Sequence, residues 1–78
     1  MTTYEALQRI QARAQGSSQR IAVTIDIYGK VRMALPLYSD HNAYWVLPED
    51  TPERLQWTAG KLDSRYERET SMLPPPVI

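Results

Sequence analysis

The chain has 78 residues, with nine Lys or Arg balanced by nine Asp or Glu, one histidine and no cysteine. Its length suits one small domain that buries about 60 to 65 per cent of its unfolded surface; the missing cysteine excludes disulfides and thiolate metal sites, and zero net charge gives no long-range pull on a polyanion. No apolar run approaches the roughly 18 residues of a membrane span, and the opening MTTYEALQRIQARAQ lacks the basic-then-apolar layout of a signal peptide, so a cytoplasmic protein without membrane contact is expected.

Thr2 and Glu5 have the spacing of a capping box, and Tyr4, Leu7, Ile10 or Gln11, and Ala14 recur at helical intervals. A helix over residues 3–15 follows, with Gly16 placed to stop it in the left-handed conformation. Arg9 and Arg13 stand one turn apart on its polar side. They form either a ridge for phosphates or a solvated face, and the second is the commoner use of such charges.

The next stretch, RIAVTIDIYGKVRMALPLY, alternates strictly on both sides of Gly29. Ile21, Val23, Ile25 and Ile27 share one side of a strand; Val31, Met33, Leu35 and Leu37 repeat the pattern after the turn. A common apolar face requires odd residues to oppose odd residues. A two-residue Gly29, Lys30 turn would pair Ile27 with Arg32, so it is excluded. A three-residue loop of Ile27, Tyr28 and Gly29, with Gly29 left-handed, pairs Ile25 with Val31, Val23 with Met33 and Ile21 with Leu35. Thr24 then opposes Arg32, and Asp26 opposes Lys30, on the wet face. A loop of Tyr28, Gly29 and Lys30 also keeps the parity and is the second choice.

Pro36 cannot donate to a ladder, so the second strand is an edge there or has finished pairing. After the turn formers Ser39, Asp40, His41 and Asn42, residues 43–47 read as a short third strand, pairing either with strand two or with the other side of strand one. Thr51 as N-cap, Pro52 at the first helical position and nearby carboxylates give the strongest helix start in the chain. This helix is expected to reach about residue 69, with Leu55, Ala59, Leu62 and Tyr66 as its apolar stripe and Trp57 off it. Gly60 in mid-helix costs about 1 kcal/mol relative to alanine, which a close approach to the sheet or another backbone would explain. Asp63 with Glu67, Arg65 with Glu69 and Lys61 with Arg65 suggest a mixed-charge outer face.

The fold class is therefore α+β: an N-terminal helix, a β-hairpin plus a short third strand, and a C-terminal helix packed on one sheet face (αβββα). Residues 1–70 form the domain, and residues 71–78 form an extended Pro-rich tail. That tail ends MLPPPVI, which is apolar for a free terminus, so docking on its own domain, a sister chain or a foreign partner is expected.

Chemistry finds little support. His41 beside Asp40 has no nucleophile in a supporting context and reads as an exposed turn histidine. The carboxylates cluster where capping explains them, and no glycine-rich phosphate loop is present. Neither an enzyme nor a cofactor nor a metal is implied. All seven aromatic residues are Tyr or Trp, whose polar ends suit half-exposed binding surfaces. Tyr28, Tyr38, Tyr44, Trp57, Leu73, Val77 and Ile78 are the candidate partner-binding residues.

The leading reading is a non-enzymatic protein-interaction module that occludes a partner surface and self-associates as a homodimer. Size and style are those of accessory proteins of phages and mobile elements, including inhibitors of host defence complexes, although no motif carries that analogy. The alternative is nucleic-acid binding, with Arg9, Arg13, Lys30 and Arg32 on phosphates and Tyr28 stacked on a base. Residues 1–38 carry five basic against two acidic residues, +3, and residues 39–78 four against seven, −3, enough asymmetry to orient an encounter.

Overall fold

The structure, a computed structural model, describes residues 1–34 and 43–71. Two helices lie against one face of a three-stranded antiparallel sheet: α1 (Thr3–Ser17), β1 (Ile21–Ile25), β2 (Val31–Met33), β3 (Tyr44–Val46) and α2 (Pro52–Ser71), in the expected αβββα order. The strand order is β2-β1-β3, so β1 is central and β3 takes the side of β1 left free by the hairpin.

Helix α1 begins as its sequence requires. The Glu5 amide donates to Thr2 Oγ1 and the Thr2 amide donates to Glu5 Oε1, both at 3.1 Å, which closes the capping box. Its end differs from expectation. The helix runs through Gly16, and the left-handed residue is Ser18, with φ 53°. The Gln19 amide then donates back to the Ala14 carbonyl at 3.2 Å, and Ser17 Oγ donates to the Arg13 carbonyl at 3.1 Å. A six-to-one closing bond of this kind needs a left-handed residue one place before the donor, and serine adopts it where the glycine stands two positions too early.

The hairpin has the preferred register, with Ile25 opposite Val31, Thr24 opposite Arg32 and Val23 opposite Met33. Gly29 carries φ 78° in the three-residue loop. Asp26 organises this turn. Its Oδ1 accepts the amides of Tyr28 and Lys30, each at 2.9 Å, while its own amide donates to the Lys30 carbonyl at 2.9 Å. The pairing of Ile21 with Leu35, and Pro36 with it, lie outside the described residues.

On the other side of β1, Ile21 faces Val46, Ala22 faces Trp45 and Val23 faces Tyr44. This places Tyr44 and Val46 on the helix side and Trp45 on the opposite side. Ala22, on the same face of β1 as Thr24, is buried opposite Trp45, whose ring lies 4.1 Å from the Arg20 guanidinium carbon.

Helix α2 starts as expected, the Arg54 amide donating to Thr51 Oγ1 and the Leu55 amide to the Thr51 carbonyl. Leu55, Thr58, Ala59 and Leu62 are buried. They join Leu7, Val23, Ile25 and Val46 in one core between helices and sheet. Thr58 is admitted to it because its hydroxyl donates to the Arg54 carbonyl at 3.1 Å. The expected Arg65 to Glu69 pair is present at 3.0 Å. Gln11 and Gln15 of α1 donate to the Pro48 carbonyl, and Gln11 also to that of Asp50, so α1 holds the turn that launches α2.

Gly60 does not approach the sheet: a Cβ built there meets no described residue within 4 Å, so of the two expected explanations only the approach of another backbone is left. The close approach is at Gly29, where a Cβ would stand 3.2 Å from Cζ of Tyr66. Along the described residues no helix is long and apolar enough to cross a membrane.

Candidate functional site

Because β1 occupies the centre, β2 pairs on one side only among the described residues, and α1 lies beside its other edge. Two hollows of about 390 and 370 Å³ lie along the seam between them and share Met1, Ala6 and Val31 as walls. The first reaches the hairpin through Gly29 and Lys30; the second extends past Ile10 and Met33.

The four candidate cations meet here. Arg9, Arg13 and Arg32 line the second hollow and Lys30 the first. Arg9 and Arg13 project from the polar side of α1, as their spacing implies, while the hairpin register brings Lys30 and Arg32 to the neighbouring edge. Arg32 Nε donates to Asp26 Oδ2 at 2.9 Å, a pair exposed enough to be weak on its own. Arg13 reaches across the seam, its Nη1 lying 3.6 Å from the Met33 sulfur. Among the described residues Arg9, Arg13 and Lys30 have no carboxylate at ion-pair distance. The seam is thus apolar at its floor and cationic at its rim.

Two nearby carboxylates are held as anions. The Arg32 side chain, followed by the amides of Lys30 and Tyr28, lowers Asp26 below the ordinary aspartate range. Hydrogen bonds from the Thr2 backbone and side chain lower Glu5.

The aromatic candidates divide. Tyr28 stands at the hairpin tip, 76% exposed, one residue before Gly29 of the first hollow. Trp57 and Tyr44 lie elsewhere, on α2 and β3, with ring centroids 5.9 Å apart in an edge-to-face contact. Trp57 is 44% exposed and carries Arg54 at 4.1 Å and Lys61 at 5.5 Å over its ring. Tyr44 is half-buried against the core and so belongs more to packing than to a free surface. Tyr38, Leu73, Val77 and Ile78 lie outside the described residues, as do Asp40 and His41.

Sequence reasoning missed Met33. Parity puts it on the core face, and it does lie there, yet it is 50% exposed because β2 is an edge among the described strands and α1 covers only part of it. Ile27 likewise leaves the apolar row and is exposed in the turn. The signal for Met33 was available in Pro36, which already marked this strand as an edge. Compared with known proteins, the chain matches no family model, no curated protein and no solved structure.

Proposed function

We propose that this chain is a small non-enzymatic protein-interaction module that binds its partner through the hairpin and the seam between α1 and β2. One observation supports this reading most. Met1, Ile27, Tyr28 and Met33, four of the five large apolar side chains exposed among the described residues, belong to the hairpin or line that seam. Exposed apolar groups on a hairpin and its seam, rimmed by charge, have the composition of a binding surface. Self-association belongs to the same reading. It would use a surface other than the seam, where two copies would bring like charges together.

The test is capture from a nuclease-treated lysate of the native host, comparing the unsubstituted chain with a Tyr28→Ser, Met33→Ser double variant. The expected result is one stoichiometric protein retained by the first and lost by the second. Equal capture by both, or capture that disappears with nuclease, rejects the reading.

A specific observation also favours the nucleic-acid alternative: Arg9, Arg13 and Arg32 line one hollow and Lys30 the adjoining one, whose wall includes Gly29, the residue after Tyr28. Each phosphate contact contributes a slope of about −0.9 in log affinity against log salt for duplex DNA. Binding through these cations therefore predicts a slope of roughly −3 to −4, and an oligonucleotide complex indifferent to salt rules it out.

A further inference from the structure

We infer that the outer edge of β2, with which no described residue pairs, takes up an extended acidic segment of another protein as a fourth strand. This deepens the interaction reading above and rests on it.

The hydrogen-bond phase of the hairpin comes first. The Asp26 amide donates to the Lys30 carbonyl at 2.9 Å, and the Ala34 amide donates to the Ala22 carbonyl at 2.8 Å. Thr24 and Arg32 lie midway between these two pairs and share their phase. In an antiparallel ladder the alternate residues turn their polar groups the other way. Val31 and Met33 therefore direct two amides and two carbonyls away from β1, along the seam. Four main-chain groups at strand spacing match another backbone in extended form.

Side-chain chemistry then selects the segment. On the helix side an added strand meets Ala6, Ile10 and Val31, which suits apolar residues at alternate positions. At the rim it meets Arg9 and Arg13, and along its other face Lys30 and Arg32, which suits carboxylates. The same charges oppose antiparallel pairing of two β2 edges from two copies, since each edge would bring its own cations to the contact. Lys30 and Arg32 alone would serve to keep an edge strand from sticking. Guarding needs no apolar hollow beside the strand and no half-exposed methionine in it. For nucleic acid, no aromatic ring among the described residues lines the two hollows; Tyr28 is at the hairpin tip, and Trp45 and Trp57 lie on β3 and α2.

The test uses the whole chain as bait in a display selection from a random twelve-residue peptide library, followed by affinity measurement on enriched peptides. Enrichment of sequences alternating Asp or Glu with Val, Ile or Leu is expected. Two variants locate the binding. Met33→Pro removes one outward amide and places a ring on the edge without removing a bond to β1, a substitution edge strands tolerate. Arg9→Glu with Arg13→Glu reverses the rim. Each is expected to weaken the enriched peptides at least about tenfold, with amide spectra confirming that the fold is kept. If Met33→Pro does not keep its fold, a peptide with alternate N-methylated residues replaces it, and the same loss is expected.

Peptides that bind Met33→Pro unchanged, or that carry no acidic alternation, overturn the added strand while leaving an interaction module. A selection that enriches nothing, together with an oligonucleotide that protects the Val31 and Met33 amides from exchange, overturns both. Dimerisation of the unsubstituted chain that Met33→Pro abolishes gives the edge to a second copy and overturns the acidic occupant.

Discussion

Replacing Gly60 with alanine is a stringent test of how α2 sits in this molecule. Gly60 lies inside the helix Pro52–Ser71, on its exposed side, and a Cβ there meets no described residue within 4 Å. Mid-helix glycine is worse than alanine by about 0.8–1 kcal/mol, chiefly through the backbone freedom that the unfolded chain loses. No steric term subtracts from this, so Gly60→Ala is expected to stabilise the domain by nearly the full amount. For a domain this small, 1 kcal/mol corresponds to about 4–8 °C in Tm. Urea unfolding followed by far-ultraviolet circular dichroism, at a low and a high protein concentration, measures it. The same gain at both concentrations is expected. A loss of stability, or a gain in dilute solution that vanishes on concentration, would refute the reasoning, because it would mean that another backbone packs on Gly60.

Gly29→Ala has the opposite sign. Alanine at φ 78° costs about 1–2 kcal/mol, and its Cβ would press on the Tyr66 ring at 3.2 Å; a destabilisation below about 0.5 kcal/mol in the same urea assay contradicts this. The pH dependence centres on Asp26. Its folded value is lowered, so its contribution to stability is present above the ordinary aspartate range, about pH 4, and is lost as pH falls through the lowered value. Arg32→Gln removes the largest cause, and carboxyl-carbon titration by NMR is expected to show Asp26 moving up towards its ordinary value; an unmoved curve would show that the amides of Lys30 and Tyr28 hold it unaided.

Legibility in the sequence followed the range of the interaction. The hairpin register came from parity and one glycine, all within fifteen residues, and the structure has that register. The start of α2 came from Thr51 and Pro52 alone. Strand order was a different matter. The run Tyr44, Trp45, Val46 is too short and too uniformly apolar to state its neighbour, and both choices stayed open. One clue was in β1, where Ala22 sits opposite Trp45 among residues that are apolar on both faces, as a central strand requires. The helix stop was read from glycine's permissiveness, but the closing bond from Gln19 to Ala14 decided the position and drew Ser18 into the left-handed region. For the seam, all four cations were legible as residues. Their convergence was not, because it depends on α1 running beside the outer edge of β2, a long-range packing that no local pattern specifies.

The two tryptophans occupy different layers, and each lies under an arginine: Trp45 on β3 beneath Arg20, and Trp57 on α2 beneath Arg54, both at 4.1 Å. Intrinsic fluorescence therefore contains one reporter for the sheet and one for the helical layer. Retaining either ring alone would turn this into two separate optical records of the same unfolding event. Their coincidence or separation would reveal whether α2 and the last strand to join the sheet come apart together or in sequence.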